Sequence, residues 1–175
     1  VKIGVLSDSY STLTNSDITN GDLPGEGNPL GYTTSVDVVK EYPYGSASDE
    51  GRAMLQIIHD VAPEATLAFR TGFVTVNDFA KGIRELEEAG CDIICDDITY
   101  VTEPFFGDGI VSRAVNDVTT LGVSYFTSAG NFGSKSYEGI FSPTTINGLV
   151  AHNYGGGDAG QSITVGPGTT GPTTY

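Results

Sequence analysis

From Val1 to about residue 131 the sequence alternates short apolar runs with longer amphipathic segments, and this alternation constrains the fold more than any other feature. VKIGVLSDS reads as a buried strand that ends in polar residues, and SVDVVKEYP as a second strand. A helix is expected over residues 48–61, where Ala53, Met54, Ile57, Ile58 and Val61 keep the spacing of one buried face. Ser46 or Ser48 is placed to cap its start, and Pro63 stops it. The pattern then repeats: ATLAF as a strand, 76–89 as a helix ending at Gly90, CDIICDDI as a strand, 108–121 as a helix ending at Gly122, and VSYFTSAGN as a strand. Strand–helix–strand units of this kind pack as a parallel sheet with helices on both faces, so the expected class is α/β. Residues 10–33, with the turn signals of NGDLPGEGNPLG, are too long for a plain connection and are expected to be functional or partly helical.

After Asn131 the rhythm changes. The segment GLVAHNYGGGDAGQSITVGPGTTGPTTY has no helical period, carries a glycine cluster, and offers QSITV as a strand candidate. It reads as an irregular tail or as the start of a β-rich insert, with the division drawn as 1–137 and 138–175.

Charge narrows the partners. Twenty-two acids against 8 bases give a net charge of −14, which repels phosphate backbones and anionic membrane surfaces, so nucleic acid is not an expected partner. No apolar run approaches the roughly 20 residues of a membrane span, so none is expected. The sequence opens at Val1 with neither methionine nor signal peptide and reads as a mature or excised piece. Its acidic, lysine-poor composition suits an extracellular or cell-envelope location. Cys91 and Cys95 fall in one strand-like run, about 13 Å apart if extended and beyond the roughly 7 Å reach of a disulfide, so both are expected as buried free thiols.

In a parallel sheet the C-terminal strand ends and the helix N-termini share one edge, where ligands bind. Asp8 ends the first strand, Asp96 and Asp97 end a later one, Glu50 opens the helix after the second, and Ser128-Ala129-Gly130-Asn131 ends the last. Taken singly, each acid reads equally well as a solvated loop residue or helix cap, and Glu50 in a first turn is favoured by the helix dipole. His59 points to the opposite side of its helix from Glu50, at about 100° per residue. His152, among glycines, reads as exposed, so a Ser-His-Asp triad is hard to build from these residues.

Asp8 after VKIGVL, then DEGRAMLQIIHDVAPEATL, CDIICDDITY and AVNDVTTLGVSYFTSAGN, together resemble the catalytic domain of subtilisin-like serine peptidases over about residues 1–133. The resemblance implies a three-layer fold, with 1–137 as the N-terminal part of that domain. Subtilases begin the helix after the second strand with His-Gly-Thr and follow it with Ala-Pro-x-Ala. Here Glu50-Gly51 stands in that place, ahead of Ala62-Pro63-Glu64-Ala65. The related sedolisins carry a glutamate at this distance before Ala-Pro, so Glu50 resembles their general base. Their aspartate one turn later is Met54 here, so the acid partner falls to Asp8, expected to hold Glu50 through a shared proton. Asp8 stands one residue past the register of the subtilase aspartate, which Ser7 occupies.

By the same resemblance Asn131 matches the subtilisin oxyanion donor, and Asp97, Ile98 and Thr99 the strand end that pairs with an extended polypeptide substrate. Calcium is common among subtilases and suits the acid surplus, but no ligand-spaced run such as an EF-hand loop identifies its ligands. The Gly-Thr-Ser segment that carries the nucleophile does not occur in these 175 residues. The resemblance thus implies either a piece of a serine endopeptidase, whose partner is the remaining catalytic domain with its serine, or an inactive module with a binding or structural role. VKIGVL also opens periplasmic small-ligand-binding domains, but that reading leaves the Ala-Pro and Ser-Ala-Gly-Asn segments unexplained. A dinucleotide fold lacks its Gly-x-Gly-x-x-Gly.

Overall fold

β1 (Lys2–Ser7) shows how the alternating pattern becomes layers: Val5 packs into one core and Leu6 into another, because successive strand residues face opposite sides of a sheet. The structure is a computed structural model that describes residues 1–11, 14–45, 47–133 and 137–160. The chain divides into two compact units, Val1–Asn131 and Phe132–Tyr175.

In the first unit, β1, β2 (Asp37–Lys40), β3 (Thr66–Thr71), β4 (Ile93–Asp96) and β5 (Ser124–Thr127) form one parallel sheet in the order β2-β3-β1-β4-β5. α2 (Glu50–Val61) covers the Val5 face through Leu55, with Leu67 and Phe69 of β3. Tyr10, Leu23 and Val36, from the long connection that also holds the short helix α1 (Thr14–Asn20), complete this core. α3 (Val76–Glu88) and α4 (Ile110–Thr120) cover the Leu6 face with Phe79, Ile83, Leu86, Ala114 and Val118. Each large apolar side chain removed from water in these layers contributes about 1.5–3 kcal/mol. The unit is therefore an α/β fold with helices on both faces of a parallel sheet.

The buried face of α2 differs from the expected one. Gly51, Leu55 and His59 are buried, whereas Ala53 is exposed and Ile57 and Val61 are 65% and 81% exposed. Two contacts set this rotation. Gly51 lies against Phe69 and the main chain at Ser9, just past β1, and the buried His59 ring meets Tyr32 edge-on at 5.1 Å. Nor does Ser48 cap the helix: Asp49 holds the N-cap position with no side-chain cap bond, and Ser48 bonds elsewhere. Ser46 lies outside the described residues.

β3 carries a feature that apolar periodicity does not announce. Arg70 is wholly buried beneath α3, bonded to Asp78, Glu85 and the Thr71 carbonyl, with Lys40 joining Asp78 from β2. Gly82 makes room for it, since a Cβ there would lie 2.6 Å from Arg70 Cδ. Cys91 and Cys95 are free thiols, and burial pushes each up to about 11.

In the second unit β6 (Pro143–Ile146) and β7 (Leu149–His152) form a small antiparallel sheet. Asn147 and Gly148, at φ 50° and 80°, turn the chain between them with the left-handed pair that hairpins favour. His152 departs from its expected exposure: it is half-buried among Tyr137, Phe141 and Tyr154, and its Nδ1 accepts the Ser142 N–H at 3.1 Å. The strand candidate at 161–165 lies outside the described residues.

Candidate active site

The connections leaving β1 and β4 run to opposite sides of the sheet, toward β2 and β5, which makes the gap beyond their C-terminal ends the switch point where parallel sheets bind ligands. Ser7 and Asp8 enter this gap from β1, and Asp96 and Asp97 from β4. α2 brings Glu50 to it, and a missing side chain lets it do so. A Cβ on Gly51 would overlap the Phe69 ring and stand 2.9 Å from the Ser9 carbonyl and 3.0 Å from Ser7 Cβ. The residue after Glu50 must therefore be glycine for the helix to start this close to β1.

Asp8 is spent on that junction. Its Oδ1 accepts the main-chain N–H groups of Ser9, Glu50 and Gly51, and its Oδ2 accepts the N–H and hydroxyl of Ser48, both at 2.6 Å. Burial pushes the Asp8 carboxyl up, but these bonds outweigh it and hold the group below the usual carboxylate range. Asp8 thus satisfies the orphan donors at the start of α2 from another element, as an ionised acceptor. The expected sharing of a proton with Glu50 does not match this arrangement: Asp8 meets the main chain of Glu50, and among the described residues no hydrogen bond joins the two carboxyls. Asp49 is held beside them in the left-handed region, φ 58°, by bonds with Ser9 and Arg52, and Arg52 reaches on to Asp17 of α1.

Asp97 and Asp96 differ in environment although they are adjacent. Asp96 accepts from Tyr125, Thr127 and the Ile98 N–H, which ties the end of β4 to β5; burial nevertheless pushes its carboxyl up. Asp97 accepts the Ser7 hydroxyl, at 2.9 Å on Oδ2, while its Oδ1 is buried with no hydrogen-bond partner among the described residues. Burial pushes Asp97 up, the Ser7 bond opposes this, and the negative charge of Glu50 adds to the rise. Glu50 itself is exposed.

The expected acids therefore meet at one edge, with Ser7 and Ser9 as partners that the sequence did not single out and Ser48, expected as a helix cap, bonded to Asp8 instead. Ser7 had one signal, its register with the subtilase aspartate. Thr99 and Asn131 are exposed, and among the described residues no hydrogen bond joins either to these carboxylates. A cavity of about 380 Å³ opens beside Asp96 and Ile98, floored by Phe79, Val111 and Tyr125. Among the described residues no three His, Cys, Asp or Glu side chains converge to hold a metal ion, and no helix is long and apolar enough to cross a membrane. The chain matches no protein-family model, no curated protein and no solved structure.

Proposed function

We propose that the chain is part of a subtilisin-like serine endopeptidase in which Glu50 is the general base. One observation carries this reading: a solvent-reachable carboxyl stands at the switch point of a parallel sheet, held there by the close approach of Gly51 to β1. In the proposed reaction a serine from outside these 175 residues attacks the carbonyl carbon of a peptide bond. Glu50 takes the hydroxyl proton and returns it to the leaving amine as the bond breaks. Asn131 donates to the oxygen that becomes negative, a contribution of about 3 to 4 kcal/mol in comparable sites. The main chain of residues 97–99 pairs with the extended polypeptide substrate. The acid-rich composition fits a secreted or envelope enzyme.

The test is hydrolysis of a denatured protein by the full-length protein across pH. Glu50→Gln, which keeps the shape and removes the base, is expected to lower the rate by about 10² to 10⁴. Like charges at the site favour retention of one proton, so activity should fall as pH rises above neutrality. A fully active Glu50→Gln variant, or an optimum well into the alkaline range, overturns the reading. The position of Asp8 favours a second one, a catalytically inactive module with a binding or structural role, because that carboxylate is committed to a helix start. A full-length wild type that cleaves nothing supports the second.

A further inference from the structure

We propose that Asn147 is a site of spontaneous covalent modification, at which the main-chain nitrogen of Gly148 attacks the asparagine side-chain amide and converts it to an acid. The chemistry is local to the turn between β6 and β7 and independent of the reaction proposed for Glu50.

Glycine follows asparagine at two places in the chain, Asn20-Gly21 and Asn147-Gly148. At each, the attacking nitrogen carries no side chain to hinder its approach to the preceding amide carbon. The structure separates the two. Asn20 ends α1, and the nitrogen beside it is engaged, with the Gly21 N–H donating to the Ile18 carbonyl at 3.1 Å. The Asp22 and Leu23 N–H groups bind the Asp17 carbonyl at 2.8 and 3.3 Å, and the Leu23 side chain is wholly buried. Freeing the Gly21 nitrogen therefore means taking this helix end apart.

At Asn147 these restraints are missing. Asn147 and Gly148 are exposed, and among the described residues neither the Gly148 N–H nor the Asn147 side chain makes a hydrogen bond. Beyond its chain neighbours, nothing lies within 4 Å of the place a Gly148 Cβ would take. Ring closure needs movement at the turn, and little resists it. β6 and β7 are four residues each and pair only with one another, and a lone two-stranded hairpin is marginal in water. Leu149 and Val150 are 73% and 71% exposed, so opening there uncovers little apolar surface.

The step needs no reagent but water. The Gly148 nitrogen gives its proton to solvent and bonds to Asn147 Cγ; the Cγ–Nδ2 bond breaks, and the nitrogen leaves as ammonia, taking a proton back. Water then opens the five-membered imide. Cleavage at Cγ leaves aspartate with the main chain unchanged, and cleavage at the main-chain carbonyl carbon leaves isoaspartate. Either product adds a negative charge to a chain already at −14. Aspartate is tolerated in the left-handed region. Isoaspartate instead lengthens the main chain inside the short turn that sets Ile146 opposite Leu149. At the far end of the same strand pair the Ser142 N–H meets His152 Nδ1, a bond placed to report the change.

The test incubates full-length protein in mildly alkaline buffer, folded and in urea, and follows the peptides carrying each asparagine by mass spectrometry. Folded protein should gain the mass of amide-to-acid conversion at Asn147 at least about tenfold faster than at Asn20, equivalent to about 1.4 kcal/mol of difference in opening cost. In urea the two should convert at similar rates. Equal rates at both positions in the folded protein, or conversion of Asn147 in urea alone, overturns the proposal. So does an undiminished rate in Gly148→Ala, where the methyl should hinder attack. A second set of His152 ring NMR signals should grow with the isoaspartate fraction. Asn147→Asp, which adds the charge without lengthening the chain, should not show it, and the same signals in that variant overturn the effect on register.

Discussion

Asp8 and Asp97 are the same side chain put to opposite uses, and hydrogen-bond donors make the difference. Five donors around Asp8 hold it ionised, whereas burial, with fewer donors and a buried bare oxygen, leaves Asp97 inclined to keep a proton. The Asp8 carboxyl is lowered on folding, so its stabilisation is complete above the ordinary carboxylate range and is lost as pH falls through the lowered value. Asp8→Asn should therefore cost about 2 kcal/mol at pH 7, the scale of hydrogen bonds to a charged group, and progressively less in acid. Urea unfolding of both proteins at neutral pH and near pH 3 checks this, and an equal cost at both pH values rules out the ionised cap. Tyr125→Phe removes the donor on Asp96 Oδ2 and leaves a buried carboxylate oxygen unpaired. It is expected to destabilise by about 1–3 kcal/mol, read from the same unfolding curves.

Two helices depend on glycines for the distance at which they pack. In α2, replacing Gly51 with Ala raises helix propensity by up to about 1 kcal/mol. The new methyl, however, meets the buried Phe69 ring and the Ser9 main chain, neither free to move, so overpacking of about 1–3 kcal/mol decides the sign. Gly51→Ala should lower stability, read as a lower urea midpoint. In α3 the guanidinium of Arg70 fills the space that Gly82 leaves open, and Asp78 and Glu85 neutralise it together. Asp78→Ala removes one of the two carboxylates that hold the buried cation, leaving Glu85, and should cost about 1.5–3 kcal/mol at neutral pH. Asp78 and Glu85 are both shifted up by burial and pulled further down by their basic partners, Arg70 with Lys40 and Lys81 with Arg70, so this network too weakens only as pH falls through their lowered values. A Tm equal to wild type at pH 7 refutes the assignment.

Every residue of both hydrophobic clusters lies between Ile3 and Tyr125, inside the first unit. A chain of residues 1–131 is expected to unfold in one cooperative step, with far-UV circular dichroism and buried-tyrosine fluorescence changing together; separate transitions would show that its core is incomplete. The sheet is unevenly shielded. β1 at the centre is buried from Gly4 to Ser7, whereas β5 at the edge leaves Phe126 60% exposed. The same central position brings the site together, because only the strands on either side of the switch point deliver their C-terminal residues to one gap.

The strands and helices of the first unit were legible in local pattern, since apolar spacing reports which faces a segment must hide. That pattern was sufficient for five parallel strands, for α2 to α4, and for the edge at which Asp8, Glu50 and Asp97 collect. It could not set the rotation of α2, because Ile57 and Leu55 are equally apolar and only contact with Phe69, Ser9 and Tyr32 selects between their faces. Nor could it place the buried Arg70 or divide the roles of the acids. A carboxyl's proton affinity depends on donors and charges from elements far apart in the chain, as Ser48 lies from Asp8 and Ser7 from Asp97. Local sequence therefore determined the elements and the chemistry available at one edge, and tertiary packing alone decided which carboxyl is held ionised and which is left with an unpaired oxygen.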